Sequence, residues 1–145
     1  MVVSQPPFLY YSGERYLAML TADELRWIYR LKSFLVSGLT VAGSSDSPIV
    51  PHNPLIGIYA AVTRKAESGQ ELLPEERISG TEALAMYTIG GAQASYEENS
   101  KGSLTPGKLA DMVLLSDDPT KMSPERLKDI KVEMTIIGGK VVWEV

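Results

Sequence analysis

The 145-residue sequence contains no cysteine, so disulfide bonds, thiolate metal sites and cysteine nucleophiles are all excluded. It contains a single histidine, His52, and one imidazole cannot build a three-ligand catalytic zinc site unless other chains contribute. The first residues lack the basic and apolar regions of a signal peptide, and no apolar run approaches the roughly 20 residues that span a bilayer. We therefore expect a cytoplasmic protein that does not enter a membrane.

Long runs of like charge are also missing. The formal net charge is −4, and acidic and basic residues are interspersed without a basic stripe, which argues against nucleic acid as a partner. The chain has no P-loop, no G-x-G-x-x-G and no Ser-His-Asp set, so nothing indicates a conventional enzyme of those kinds. What remains is an ordinary globular composition, 44% hydrophobic and 22% charged, which is sufficient for one core.

The first half of the chain is predicted to alternate strands and helices. Residues 2–3 begin a strand that ends in a loop at Gln5-Pro6-Pro7, because proline cannot donate a hydrogen bond to a sheet. A capping box at residues 21–24 begins a helix that Gly38 ends in a left-handed cap. The second strand, residues 39–42, is too apolar to alternate, as is typical of a parallel strand buried on both faces.

The second half predicts two more helices followed by a small β unit. Proline and capping-box signals begin the helices, and glycine pairs mark the turns between the later strands. The predicted landmarks are a helix from Pro54 to Gly69, a helix from the capping box at residues 79–82, a strand before a turn at Pro106-Gly107, a strand at residues 112–115, a short helix from Ser123-Pro124, and a hairpin turning at Gly138-Gly139.

Asp46 follows the second predicted strand, in the loop SSDSP. The order strand, helix, strand, helix predicts a parallel sheet with right-handed crossovers, so this loop lies at the carboxyl end of the sheet, where α/β proteins build their sites. An aspartate in such a sequence is also a common turn former whose side chain bonds its own backbone. The residues alone leave both interpretations open.

Four stretches taken together resemble a known family. In chain order they are VAGSSDSP, EALAMYTIGGAQAS, KGSLTPGKLADMVLLSDDP and TIIGGKVVW. They resemble the C-terminal part of the metal-dependent amidohydrolase superfamily, and specifically the branch called amidohydrolase family 3. The resemblance implies an α/β fold in which residues 1–99 form the last two units of a (β/α)8 barrel. Residues 100–145 would then form a small C-terminal β unit of the composite β-sandwich type.

The resemblance also assigns a role to Asp46. In such enzymes the barrel holds one or two divalent metals, commonly zinc, and the aspartate after the eighth strand binds metal or handles the proton of the attacking water. Asp46 matches that aspartate. His52 could contact a substrate or a metal, although simple exposure on a loop is the usual explanation for a lone histidine. Gln5 could line the mouth of the barrel and contact a small-molecule substrate, and a solvated loop position explains it at least as well. The remaining candidates have simpler explanations, core or interface packing for Tyr10, Tyr11 and Tyr16 and turn or strand-end roles for Asp111, Asp117 and Asp118.

The departures from the family pattern limit this assignment. The family takes most of its metal ligands from earlier strands, and a complete barrel needs about 250 residues. Two barrel strands would leave open edges and uncovered apolar faces, so we expect a homo-oligomer or a complex with an N-terminal amidohydrolase chain. Two hypotheses follow. In the first, the chain is the C-terminal segment of an amidohydrolase and cleaves C–N bonds only together with the missing part of the barrel and a metal. In the second, the chain is a metal-free oligomer that serves as a binding or scaffold module.

Overall fold

The computed structural model describes all residues 1–145 and has an α/β architecture. No helix in it is both long and apolar enough to cross a bilayer. In chain order the elements are β1 (Val2–Ser4), α1 (Pro7–Met19), α2 (Ala22–Leu25), α3 (Leu31–Val36), β2 (Val41–Gly43), α4 (Pro54–Thr63), a 3₁₀ helix (Pro74–Glu76), α5 (Gly80–Tyr87), α6 (Ile89–Ala94), β3 (Met112–Leu115), a second 3₁₀ helix (Pro124–Asp129), β4 (Val132–Ile137) and β5 (Lys140–Glu144).

Strands β1 and β2 form the predicted parallel pair. Val2 lies opposite Val41 and Ser4 lies opposite Gly43, so both strands end at the same edge. The second strand begins at Val41 rather than at residue 39, because the Leu39 N–H still donates to the Phe34 carbonyl of α3, at 3.0 Å. The parallel pairing confirms the strand–helix–strand prediction for the first third of the chain.

The loop predicted after Gln5 is instead the beginning of α1. Pro6 already has helical dihedral angles and Pro7 occupies the first turn, where a missing N–H costs nothing. The helix is fixed by packing, because Leu9 is fully buried and Gly13 contacts Ala66 and Leu72 so closely that a Cβ would clash. The prediction that the strand ends before Pro6-Pro7 is confirmed, but no helix was predicted to begin there.

The single helix predicted from residue 21 is two short helices. The capping box is present, with the Glu24 N–H donating to Thr21 Oγ1 at 3.3 Å, but α2 ends at Leu25. The chain then turns through Tyr29, whose φ of 46° is left-handed, before α3 begins. Gly38 ends α3 in the predicted left-handed conformation, with φ 74°.

Helices α4 and α5 begin where predicted and end early. Asn53 caps α4 by accepting a hydrogen bond from the Leu55 N–H at 3.0 Å, and the capping box before α5 is complete. Arg64, with φ 58°, ends α4 well before Gly69. Thr88 separates α5 from α6 with φ −121° and ψ −94°, so the predicted long helix is broken in the middle. Both breaks occur at residues without a helix-ending signal of their own.

The C-terminal β unit is a three-stranded antiparallel sheet in the order β3-β4-β5. The predicted hairpin is confirmed, with Gly138 and Gly139 at φ 56° and 78°. The strand predicted before the Pro106-Gly107 turn is absent, and residues 101–111 form turns and irregular structure. The 3₁₀ helix before β4 contributes Leu127 to the main core, and Ile130, the residue after this helix, belongs to the core as well. The domain boundary near residue 99 stays a prediction.

The sheet of β3, β4 and β5 is largely uncovered. Neighbouring residues of a strand point to opposite faces, and exposed apolar side chains occupy consecutive positions in β3 and β5, so both faces of the sheet are exposed there. The main core lies elsewhere, around α3, α4, α5 and the second 3₁₀ helix. The exposed apolar side chains of the sheet include Met112, Val113, Leu114, Ile137, Val141, Val142 and Trp143.

Tyr87 fills a notch lined by two glycines. A Cβ on Gly43 would lie 2.6 Å from the Tyr87 ring, and one on Gly57 would lie even closer to its hydroxyl. Only residues without side chains therefore fit at these two positions on β2 and α4. The Tyr87 hydroxyl is buried and has no hydrogen-bond partner, and burial raises the pKa of Tyr87 above its usual range.

Replacing Tyr87 with phenylalanine should therefore raise the free energy of unfolding by about 1 kcal/mol, because it removes a buried hydroxyl that costs free energy without a partner. Urea-induced unfolding followed by circular dichroism measures the change. Tyr96→Phe is the matched control, since Tyr96 is 91% exposed, and it should change the free energy by less than about 0.5 kcal/mol. A destabilised Tyr87→Phe variant would show that the hydroxyl has a partner.

Candidate functional site

Asp46 lies on the loop that leaves the carboxyl end of β2. The Ser44 N–H donates to the Ser4 carbonyl at 2.8 Å, which joins this loop to the end of β1. Asp46 itself has a φ of 57° and is exposed. Its N–H donates to Ser44 Oγ at 3.3 Å, and its carbonyl accepts from the Ile49 N–H at 2.9 Å.

The side chain of Asp46 takes no part in this turn. All hydrogen bonds of the residue within the chain are made by its backbone, and its carboxylate accepts none. The carboxylate therefore does not bond its own backbone, whereas the left-handed φ of Asp46 is a conformation that aspartate adopts in turns. The structure therefore presents a free carboxylate at the end of a parallel strand.

The other two sequence candidates differ in placement. Gln5 is half buried and follows Ser4 directly at the end of β1, so it shares the sheet edge with the Asp46 loop. His52 is exposed on the loop that precedes α4 and makes no side-chain hydrogen bond. The topology thus brings Gln5 and Asp46 to one edge, and a substrate role for either Gln5 or His52 stays a prediction.

An aromatic cluster lies beside this edge. The rings of Phe8 and Tyr29 are nearly parallel, with an interplanar angle of 11° and centroids 6.5 Å apart. The hydroxyls of Tyr16 and Tyr29 lie 3.2 Å apart, within hydrogen-bond distance. Tyr16 was a candidate from the sequence, whereas Phe8 and Tyr29 were not, because only the fold brings their rings together. Tyr10 instead packs edge-on against the buried ring of Tyr59, as expected of a core residue.

The surroundings of Tyr29 keep its hydroxyl protonated. Burial raises the pKa of Tyr29 above its usual range, and its hydrogen bond with Tyr16 and the negative charge of Asp46 raise it further. The Tyr29 hydroxyl therefore stays protonated at neutral pH and remains a hydrogen-bond donor.

Arg64 is fully buried and ties the Tyr29 turn to the end of α4. Its Nη1 donates to the Tyr29 carbonyl at 2.7 Å and its Nε donates to the Leu72 carbonyl at 2.9 Å. A third, longer bond of 3.5 Å reaches the Ile28 carbonyl. Burial lowers the pKa of Arg64 to about 10, so the guanidinium remains charged at pH 7.

Glu76 is the second buried charge of this region. Its carboxylate accepts hydrogen bonds from the Ser33 N–H at 2.9 Å and from the Ser33 hydroxyl, and Arg30 Nε lies 3.7 Å away. Burial alone would raise the pKa of Glu76, but the Ser33 hydrogen bonds, with Arg30 and Arg64, lower it below its usual value. The pair Ser33–Glu76 anchors α3 to the first 3₁₀ helix.

Glu76→Gln should lower the free energy of unfolding at pH 7 by about 2 kcal/mol, because the hydrogen bonds to a charged acceptor are weakened. A lowered folded-state pKa contributes stability above the unfolded value near 4.5, and this stability is lost as the pH falls below it. The variant should therefore lose less stability than the parent between pH 5 and pH 3 in urea titrations. Equal acid sensitivity of the two proteins would contradict this assignment.

The remaining acidic candidates have the structural roles predicted for them. Asp111 Oδ1 accepts from the Gly138 N–H at 2.8 Å, and Asp118 Oδ1 accepts from the Thr120 N–H at 2.9 Å. Asp117 forms a surface ion pair with Arg126 at 3.8 Å. No group of three or more His, Cys, Asp or Glu side chains in this chain is arranged so that it could hold a metal ion.

The chain is similar to known amidohydrolases over almost its whole length. The profile of the amidohydrolase family matches residues 4–143. YtcJ, a Bacillus subtilis protein assigned to the amidohydrolases, is 34% identical over 143 residues, which are 97% of this chain and 27% of YtcJ. The N-substituted formamide deformylase of Arthrobacter pascens is 32% identical over 117 residues, covering 81% of this chain and 22% of that enzyme.

Among solved structures, the chain is similar to part of a metal-dependent hydrolase. An uncharacterized metal-dependent hydrolase from Pyrococcus horikoshii matches with a TM-score of 0.70 and 28% identity, over 85% of this chain and 25% of that protein. The chain therefore spans about a quarter of the length of the relatives it matches.

Proposed function

Because this chain belongs to the amidohydrolase family, we propose that it is the C-terminal segment of a metal-dependent hydrolase that cleaves a non-peptide C–N bond. In this proposal β1 and β2 are the last two strands of a (β/α)8 barrel, and β3–β5 belong to the composite β sandwich. Residues outside this chain complete the barrel and supply the other metal ligands, with zinc as the proposed metal.

The observation that carries the proposal is the free carboxylate of Asp46 at the carboxyl end of β2. In barrels built from β/α units, catalytic side chains lie at this end of the strands. A carboxylate without a hydrogen-bond partner is available to act on a substrate or on water. The relatives of this chain whose names state a reaction include a deformylase and deaminases, which is the support for C–N bond cleavage.

The chemistry assigned to Asp46 is a proton transfer. Water attacks the carbonyl carbon of an amide, and Asp46 accepts the proton that the attacking water releases. Asp46 then returns this proton to the nitrogen as the C–N bond breaks, which yields a carboxylic acid and an amine. The residues of this chain do not by themselves make a metal site, and a metal held by the rest of the barrel would lower the pKa of the attacking water.

A hybrid enzyme tests the proposal. In the Arthrobacter pascens deformylase, the segment that matches this chain, 22% of its length, is replaced by this chain. We expect the hybrid to hydrolyse N-substituted formamides, to lose activity on treatment with a chelator and to regain it with zinc. The deformylase without this segment is the inactive control. A folded, metal-loaded hybrid without hydrolase activity would contradict the proposal.

A second candidate function is favoured by the uncovered sheet. The apolar faces of β3–β5 and the open edges of β1 and β2 are surfaces that other protein segments commonly cover. In this alternative, copies of the chain assemble without metal into a binding or scaffold module. Native mass spectrometry separates the two hypotheses, because the module predicts one stable metal-free oligomer of the chain alone, whereas the enzyme segment predicts assembly with the rest of the barrel.

A further inference from the structure

Tyr29 is held in an unfavourable backbone conformation. Its φ of 46° is left-handed, which costs a residue with a side chain free energy and persists only where the surroundings fix it. Here the Tyr29 carbonyl accepts hydrogen bonds from Arg64 Nη1 at 2.7 Å and from the Leu31 N–H at 2.8 Å. The buried guanidinium of Arg64 donates only to carbonyls, and two of these, the carbonyls of Ile28 and Tyr29, lie in this turn. These hydrogen bonds fix the position of Tyr29.

The turn holds Tyr29 beside the proposed site. Phe8 comes four residues after Ser4, the last residue of β1, and Asp46 comes three residues after Gly43, the last residue of β2. Because Ser4 and Gly43 are paired, the segments that follow β1 and β2 leave the sheet at the same edge. The ring of Tyr29 lies against Phe8, so it lies at this edge as well.

The aromatic surface continues away from the sheet edge. The Tyr29 hydroxyl meets that of Tyr16, and Phe8 and Tyr16 both line an open groove of about 340 Å³ along α1. The groove has a largely apolar lining with one charged residue. Its lining residues are Phe8, Ser12, Arg15, Tyr16, Met19 and Leu20.

We propose that Phe8, Tyr16 and Tyr29 form the wall that binds the nitrogen substituent of the substrate, and that this substituent is a flat apolar group such as an aryl ring. The proposal rests on the proposed function, because it takes Asp46 as the residue next to the reacting bond. Small-molecule sites are commonly walled by aromatic side chains, and ring–ring contacts favour flat groups over aliphatic ones. Arg64 is then a positioning residue that acts through the Tyr29 turn.

Binding to the full 145-residue chain tests the wall without requiring activity. N-phenylformamide and N-methylformamide share the formamide group and differ in the ring, and both are titrated while NMR follows the aromatic resonances. We expect N-phenylformamide to shift the ring signals of Phe8, Tyr16 and Tyr29, and N-methylformamide to bind at least tenfold more weakly. Tyr29→Leu should weaken N-phenylformamide binding about tenfold, whereas Tyr29→Phe, which keeps the ring, should stay within twofold.

The control is Tyr96→Leu, since Tyr96 is 91% exposed and should not affect binding. Equal affinity of the Tyr29→Leu and Tyr96→Leu variants, or shifts confined to β3–β5, would overturn the proposal. In the hybrid enzyme, Tyr29→Leu should raise the KM for N-phenylformamide about tenfold and leave that for N-methylformamide unchanged. A hybrid inactive on both compounds would contradict the proposed function alone, while an active hybrid with an unchanged KM ratio would contradict the wall.

Discussion

Asp46→Asn should lower the kcat of the hybrid enzyme by about a thousandfold, which is the largest effect expected of any substitution in this chain. Asparagine has nearly the shape of aspartate but cannot accept and return a proton. The side chain is exposed and makes no hydrogen bond within the chain, so the substitution should leave folding intact. Steady-state kinetics with an N-substituted formamide measure the loss.

The interpretation of this result depends on a matched variant. Asp23 is an exposed aspartate on α2 whose carboxylate lies 3.6 Å from Arg26 Nη1, and Asp23→Asn should change kcat by less than twofold. Circular dichroism and metal content of both variants show whether fold and metal loading are preserved. A loss of less than tenfold in a folded, metal-loaded Asp46→Asn hybrid would show that Asp46 is not the proton carrier.

Arg64→Met should lower the free energy of unfolding by about 3 to 5 kcal/mol, the largest effect on stability in the chain. Methionine fills part of the volume but donates no hydrogen bond, so the carbonyls of Ile28, Tyr29 and Leu72 lose their buried partner. The left-handed turn at Tyr29 loses its main support as well. Since small domains are stable by about 5 to 15 kcal/mol, urea midpoints should fall steeply or the variant should not fold.

Two further variants separate the hydrogen bonds from the charge. Arg64→Lys keeps the charge but cannot reach three carbonyls at once, so we expect most of the loss to remain. Arg26→Met removes an exposed arginine that has one surface ion pair at 3.6 Å, and it should cost less than about 1 kcal/mol. A stability of Arg64→Met equal to that of Arg26→Met would show that the buried guanidinium does not hold the turn.

The exposed apolar faces of β3–β5 agree with the finding that this chain matches only part of each relative. The chain matches about a quarter of each relative, and β3–β5 expose apolar side chains on both faces. A three-stranded sheet that is apolar on both faces is stable when other segments cover it. The exposure is therefore consistent with a segment that packs against further polypeptide.

Local signals determined much of the secondary structure from the sequence alone. Both capping boxes begin helices, Gly38 ends one, and the Gly138-Gly139 pair forms the hairpin turn, because each depends on the geometry of a few neighbouring residues. Asp46 was placed at the end of a parallel strand by the order of elements, which the register of β1 with β2 confirms. The family, too, followed from short stretches that are each nearly contiguous.

The tertiary structure alone decided where helices break and which aromatic side chains meet. Arg64 ends α4 and fixes the turn at Tyr29 through carbonyls of residues distant in sequence, which no local pattern encodes. Phe8 and Tyr16 lie on α1, and they meet Tyr29 only when α1 packs beside the α2–α3 turn. Local geometry sets how these helices begin and how α3 ends, whereas the buried Arg64 and long-range packing set the Tyr29 turn and what each helix contacts.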